Sequence, residues 1–190
     1  MIEIRTLEIA GLASVLQALR LPFGKECRSE VDWSGTINSN YEPPMFQYES
    51  KCFIDERDLK LLSTLVKRGD EHSKCVRGLI VYAEINAPRF FWQEMDTYKI
   101  GSERLSSEST MHIQGKRLST EELVKMKEEL KEGTMQKRVQ FFSYQTLRRI
   151  YIQRKKHRLP HWHKFVEWIA TLPFAEELIF VGLDKEDSNE

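Results

Sequence analysis

Apolar and polar positions change period several times along the chain, and each change marks an element. From Ile2 to Ile9 they alternate well enough for a short strand, and from Gly11 to Leu21 the apolar residues recur at helical spacing. Pro22 to Ser50 keeps neither period. Its Gly24, Ser34-Gly35, Asn38-Ser39-Asn40 and Pro43-Pro44 predict loop with little regular structure. Asp55 then opens a helix through DERDLKLLSTLVKRG, with acids in its first turn, Lys67 and Arg68 in its last and Gly69 just beyond. Asp70 to Lys74 reads as a polar turn. GLIVYAEI at 78–85 is the strongest strand signal, apolar enough to predict burial on both faces.

Pro88 suits the first turn of a following helix, on which Phe90, Phe91, Met95 and Tyr98 fall where they can meet a core. Gln93 shares that helix, and an amide among aromatics needs a partner if it is buried: a neighbour, a backbone group or a ligand. The Ser-rich segment after it reads as a polar loop. Ser119, with Glu122 three residues on, forms a capping box for a charged helix to Leu130 whose apolar stripe is only Leu123, Met126 and Leu130. Gln136 to Lys156 predicts one longer helix, and Pro160 to Leu172 another with Trp162, Phe165, Val166 and Ile169 on one face. The charged 184–190 tail, DKEDSNE, is expected to fray. Together these elements predict a single α+β domain over 1–183, mainly helical with a small mixed or antiparallel sheet.

Composition narrows the class. A length of 190 residues with 41% hydrophobic residues can bury a core and excludes a disordered chain. Lys+Arg and Asp+Glu both number 29, so the chain is not built to blanket nucleic acid. No apolar run approaches the roughly 20 residues of a membrane helix, and the acidic N-terminal stretch lacks a secretory pattern, so a cytoplasmic protein is expected. Cys27, Cys52 and Cys75 are odd in number and lack CxxC spacing, which predicts free thiols and neither a disulfide framework nor a zinc site.

Two clusters could carry chemistry. His157, His161 and His163 are dense, but their spacings across Pro160 match no metal-ligand pattern and no carboxylate or cysteine lies among them. Arg148, Arg149, Arg154 and Arg158, with Lys155 and Lys156 between, could hold phosphate through guanidinium groups, or could form a solvated face paired with the acidic helix at 121–132. No Walker loop, GxGxxG, GxSxG or HExxH motif occurs.

The order of elements from residue 55 to 112 resembles the central block of the flavin-dependent thymidylate synthases. That family has a helix, a His-x-Ser-Pro-Phe-Glu-His turn, a strand ending in an apolar residue and proline, a helix bearing Gln and Arg-His-Arg, and a Ser-x-Asn-Glu-x-Ser-x-Arg loop. Here the helix is Leu61 to Arg68, the turn keeps His72 or Ser73 only loosely, and the strand Leu79 to Ile85 runs into Ala87-Pro88. Gln93 falls on the motif glutamine and Ser102 on the first motif serine. With an insertion of about three residues, Ser107-Glu108-Ser109-Thr110-Met111-His112 overlays Asn-Glu-x-Ser-x-Arg. LPFAEELI near the C-terminus echoes the family's closing Ala-Gln-x-Glu-Ile.

The resemblance implies a homotetramer with sites between subunits, FAD and dUMP as bound groups, folate as methylene donor and reduced nicotinamide as hydride donor. It implies that Gln93, Ser102, Ser107, Glu108, Thr110 and His112 face the nucleotide, and that Thr97, Tyr98, Lys99 and His72 stand where the flavin is held. Thr97-Tyr98-Lys99 replaces Arg-His-Arg, His112 replaces the last motif arginine, and Thr171 or Leu172 stands near the place of the arginine that would hold the pyrimidine carbonyl. Each charge-assisted hydrogen bond so removed is worth about 1.5–3 kcal/mol to a bound dinucleotide. Two functions follow as expectations: an enzyme acting on a pyrimidine nucleotide, or a non-catalytic oligomer that sequesters a nucleotide-derived signal.

Overall fold

In the computed structural model the described residues are 1–26, 29–32, 35–38, 45–48, 51–109 and 118–183. Thr110, His112 and the 184–190 tail lie outside them. In chain order the elements are β1 (Glu3–Ala10), α1 (Leu12–Arg20), β2 (Glu30–Asp32), β3 (Gly35–Asn38), β4 (Met45–Tyr48), β5 (Lys51–Phe53), α2 (Glu56–Lys67), β6 (Ile80–Pro88), α3 (Arg89–Met95), β7 (Ser102–Ser107), α4 (Thr120–Glu128), β8 (Met135–Ser143), α5 (Tyr144–Arg154) and α6 (Pro160–Ala170). Single helical turns occupy Leu21–Phe23, Lys74–Gly78 and Glu176–Phe180.

β1, β6, β8 and β7, in that spatial order, form one antiparallel sheet. Its inner face carries Val81, Ala83, Ile85 and Ala87 of β6 and Phe142 of β8, all fully buried. Helix α6 lies on this face, with Phe165 and Trp168 at 5.6 and 6.2 Å from the Phe142 ring. Phe91 of α3 closes the same core against Trp162 at 4.6 Å. Deleting such an aromatic costs about 3–5 kcal/mol, so this stack is the main anchor of α3 and α6. Arg20 and Asp58 tie α1 to α2: the fully buried Asp58 carboxylate accepts from Arg20 Nε at 2.6 Å and from the Ser29 backbone and hydroxyl at 3.0 and 2.7 Å. No helix among the described residues is long and apolar enough to cross a membrane.

Four sequence expectations change. GLIVYAEI is buried on one face only: Val81, Ala83 and Ile85 point inward, while Ile80, Tyr82 and Glu84 are half-buried on the other side. There Tyr82 meets Phe141 at 6.0 Å and Glu84 pairs with Arg5 at 3.2 Å. The run 136–156 is not one helix. MQKRVQFFS alternates between faces as β8, with Arg138, Gln140 and Phe142 inward, and only at Ser143 does the helix begin, capped by its hydroxyl on Thr146 N. The Ser-rich segment forms edge strand β7, because β8 supplies its ladder partners. The stretch read as loop holds β2, β3 and β4, which form two short antiparallel ladders, β2 with β5 just beyond the stretch and β3 with β4; strands of three or four residues are too brief to show a period between their turn formers. The capping box at Ser119 and Glu122 forms as the spacing predicts.

Candidate functional site

The polar residues that face inward are concentrated at one edge of the sheet. Alternation along β8 sends Arg138 and Gln140 to the same side as Phe142, where α3 and the 96–101 connection cover them. The Arg138 guanidinium lies 4.4 Å from the Trp92 ring centre, donates to Asp96 Oδ1 at 2.7 Å and to Gln136 Oε1 at 3.3 Å. Burial pulls its pKa below the ordinary guanidinium value; Asp96 pulls it back, and the positive charge of Arg104 adds to the depression.

Edge strand β7 enters this region through Gly101, whose φ of 75° lies in the left-handed region. A Cβ there would stand 2.5 Å from Thr146 Oγ1 and 2.6 Å from Ser143 Oγ, so the chain passes over the start of α5 only as glycine. The approach is fixed by Ser143 N donating to Gly101 O at 2.7 Å and Thr146 Oγ1 donating to Ile100 O at 2.7 Å. Register then sets Ser102 opposite Phe142 and Arg104 opposite Gln140, all on the inner face. The Ser102 hydroxyl donates to Tyr98 O, and Gln140 Nε2 donates to Ser102 Oγ at 3.5 Å. Gln140 Oε1 is buried without a partner. An unpaired buried acceptor costs about 1–3 kcal/mol.

Two cavities open along the β7–β8 ladder. The first, about 390 Å³, is lined by Asp96, Tyr98, Lys99, Ser102, Glu103, Arg104 and Gln140. Its size falls within the range of small-molecule sites. Lys99 and Arg104 are exposed cations at its rim. The second, about 270 Å³, lies beside Ser106, Ser107, Glu108, Lys137 and Arg138. Glu108 is held there by its backbone N–H on Lys137 O at 2.8 Å and by its carboxylate, which accepts from Lys137 N at 3.3 Å. Arg138 stands beside both groups.

The structure thus brings Tyr98, Lys99 and Ser102 to one cavity and Ser107 and Glu108 to its neighbour. The other residues named from the sequence lie elsewhere. Gln93 is exposed and donates to Glu132 Oε2 at 2.8 Å. The Thr97 hydroxyl donates to Glu94 O, and His72 sits exposed in the turn after α2. Arg154 is engaged, donating to Tyr98 Oη at 2.8 Å and Glu94 Oε2 at 2.7 Å over the Trp162 ring. Arg148 donates to Ile179 O, Arg149 is 3.8 Å from Asp70, and Arg158 is exposed. Arg148, Arg149 and Arg154 thus meet Tyr98, Glu94, Asp70 and backbone, none of which lies on the acidic helix. Among the described residues no three His, Cys, Asp or Glu side chains gather in a way that could hold a metal.

Arg104, Asp96, Arg138 and Gln140 were not singled out from the sequence. Reading 136–156 as a helix hid the last two, and the signal that finds them is the two-residue alternation of Gln136, Arg138, Gln140 and Phe142.

No family model and no curated protein matches the sequence. Solved structures do match. Thymidylate synthase X from Helicobacter pylori, crystallised with FAD and dUMP, superposes with a TM-score of 0.63 at 13% identity over 97% of this chain and 100% of that one. A second structure of flavin-dependent thymidylate synthase from the same organism, also complexed with FAD and dUMP, gives a TM-score of 0.62 at 13% identity over 94% and 97% of the two chains. At this identity the likeness is one of fold.

Proposed function

We propose that this chain is a nucleotide-binding protein built on the flavin-dependent thymidylate synthase fold, and that its ligand is a nucleoside monophosphate held at the β7–β8 edge. The observation that carries the reading is the 390 Å³ cavity, which joins two exposed cations, Lys99 and Arg104, to the Ser102 and Gln140 side chains, on a fold whose relatives are solved with dUMP. Lys99 and Arg104 take the phosphate. Ser107 and Glu108, displayed beside the neighbouring cavity, serve a site completed by another subunit of a homotetramer.

The residues at 97–99 fit a flavin dinucleotide poorly. Thr97 spends its hydroxyl on Glu94 O, the Tyr98 hydroxyl receives Arg154, and Lys99 alone offers a free charge. With Glu103 beside Lys99 and Arg104, the cavity offers a pyrophosphate little net positive charge. This favours capture of a nucleotide over flavin-dependent methyl transfer, which is the second reading and rests on the FAD and dUMP of the fold relatives.

Calorimetric titration with dUMP and with FAD, beside mass spectrometry of whatever co-purifies, tests both readings. Binding of a nucleoside monophosphate with no FAD uptake is the expected result. A yellow preparation that methylates dUMP with folate and reduced nicotinamide would establish the second reading, and a chain that binds no nucleotide would overturn both.

A further inference from the structure

We propose that Glu103 sets how many phosphates the first cavity accepts, so that the site takes a nucleoside monophosphate and turns away the diphosphate. This deepens the nucleotide reading and rests on it. The charged side chains along that cavity are Asp96, Lys99, Glu103 and Arg104. Asp96 is committed to Arg138, at 2.7 Å. Among the described residues no ion pair engages the other three, and all three are exposed. Two cations and one carboxylate therefore remain for a ligand to meet.

Alternation along β7 sets Glu103 opposite Phe141 and Arg104 opposite Gln140, so the two side chains leave opposite faces of the strand and do not cancel each other by contact. Burial lowers the pKa of Arg138 and the positive charge of Arg104 lowers it further, so the two guanidinium groups lie within Coulomb range of each other. An anion beside Arg104 relieves that repulsion. A monophosphate brings about two negative charges above pH 7, which Lys99 and Arg104 match one for one. A second phosphate adds negative charge, finds no third free cation and comes under the field of Glu103. Contact is not needed for this. A sphere of 390 Å³ is about 9 Å across, comparable with the Debye length of about 8 Å at physiological ionic strength, so a carboxylate on the wall acts on an anion inside. At about 8 Å one unit charge changes affinity roughly two- to thirtyfold, as the dielectric runs from that of water to that of a protein surface, before salt weakens it.

Calorimetric titration of the wild type and of Glu103→Gln with dUMP, dUDP, dCMP and dCDP tests the assignment. For whichever base binds, the wild type is expected to hold the monophosphate tighter than the diphosphate. In Glu103→Gln at low salt the diphosphate is expected to gain about fivefold relative to the monophosphate. Glu103→Asp, which keeps the charge, is expected to retain the wild-type order. The gain should fade near 1 M salt, where the Debye length is about 3 Å. A wild type that prefers the diphosphate overturns the role of Glu103 while leaving nucleotide binding standing. An unchanged ratio in Glu103→Gln, or a gain that salt does not diminish, does the same. Failure of all four probes to bind the wild type overturns the proposal together with the reading beneath it. The wild-type comparison needs no variant to fold.

Discussion

Helix α3 is fastened on two sides by the same device, and one of the two sides borders a cavity. On one side Glu94 pairs with Arg154 at 2.7 Å, and that guanidinium lies 4.3 Å from the Trp162 ring centre. On the other Asp96 pairs with Arg138, also at 2.7 Å, with the guanidinium 4.4 Å from Trp92. Two carboxylates two residues apart thus each hold an arginine against an indole. Glu94 also accepts the Trp162 indole N–H at 2.8 Å and lies 3.5 Å from His157, so its oxygens are occupied on several sides. Asp96 is 49% exposed, and beside its arginine lie a cavity, a second arginine and the unpaired Gln140 carbonyl. A closed wall and an open edge built from one motif separate what stability needs from what a ligand could use.

The comparison is sharpened most by the aromatic that anchors the closed side. Trp162→Ala should lower the unfolding free energy by about 3–5 kcal/mol, read from the urea midpoint, because the residue is fully buried between Phe91 and Phe165. The two carboxylates come next. Glu94→Ala should cost about 1.5–3 kcal/mol, since it strands Arg154 and the Trp162 N–H together. Asp96→Ala should cost about 1 kcal/mol, because water entering the cavity can solvate Arg138 in its place. Equal losses for the two would break the distinction between wall and edge.

How far this was legible in the sequence follows the same division. The closed wall is apolar and periodic, so spacing assigned Phe91, Met95, Trp162, Phe165 and Ile169 to the core, where all are fully buried, together with Phe90, Tyr98 and Val166, which are half-buried. The α+β class was legible for the same reason. The open edge was not, because its inward residues are polar. Arg138 and Gln140 interrupt the apolar alternation of β8, and β7 is an edge strand with one buried residue, Ser102. A strand whose inner face is polar looks like a helix or a loop when hydrophobicity is the only guide. The resemblance singled out Tyr98, Lys99 and Ser102, which line the cavity, whereas Arg104 and Gln140 required the ladder register.

At the open edge, removing a polar group should help stability. Gln140→Met deletes an acceptor that the fold does not satisfy and replaces it with an apolar chain of similar length. A gain of about 1 kcal/mol in unfolding free energy is expected. A loss of comparable size would mean that the amide is held by contacts the fold depends on, and that the cavity is an ordinary packing defect.

The smallest effect tests whether the closed side excludes water near its rim. The His161 ring stands edge-on to Phe90 at 4.9 Å with its Nδ1 buried and unpaired, and burial lowers its pKa below the ordinary value of 6.5. The unfolded chain, with the higher pKa, therefore takes up this proton first as pH falls. The stability His161 contributes is fully present above about pH 6.5 and is lost as pH drops through the lower, folded value. Urea midpoints measured between about pH 7.5 and 5.5 should fall less steeply for His161→Gln than for the wild type, with His72, His112, His157 and His163 common to both. Identical slopes would show that water reaches Nδ1, and the wall would then be open at α6 as it is at β7.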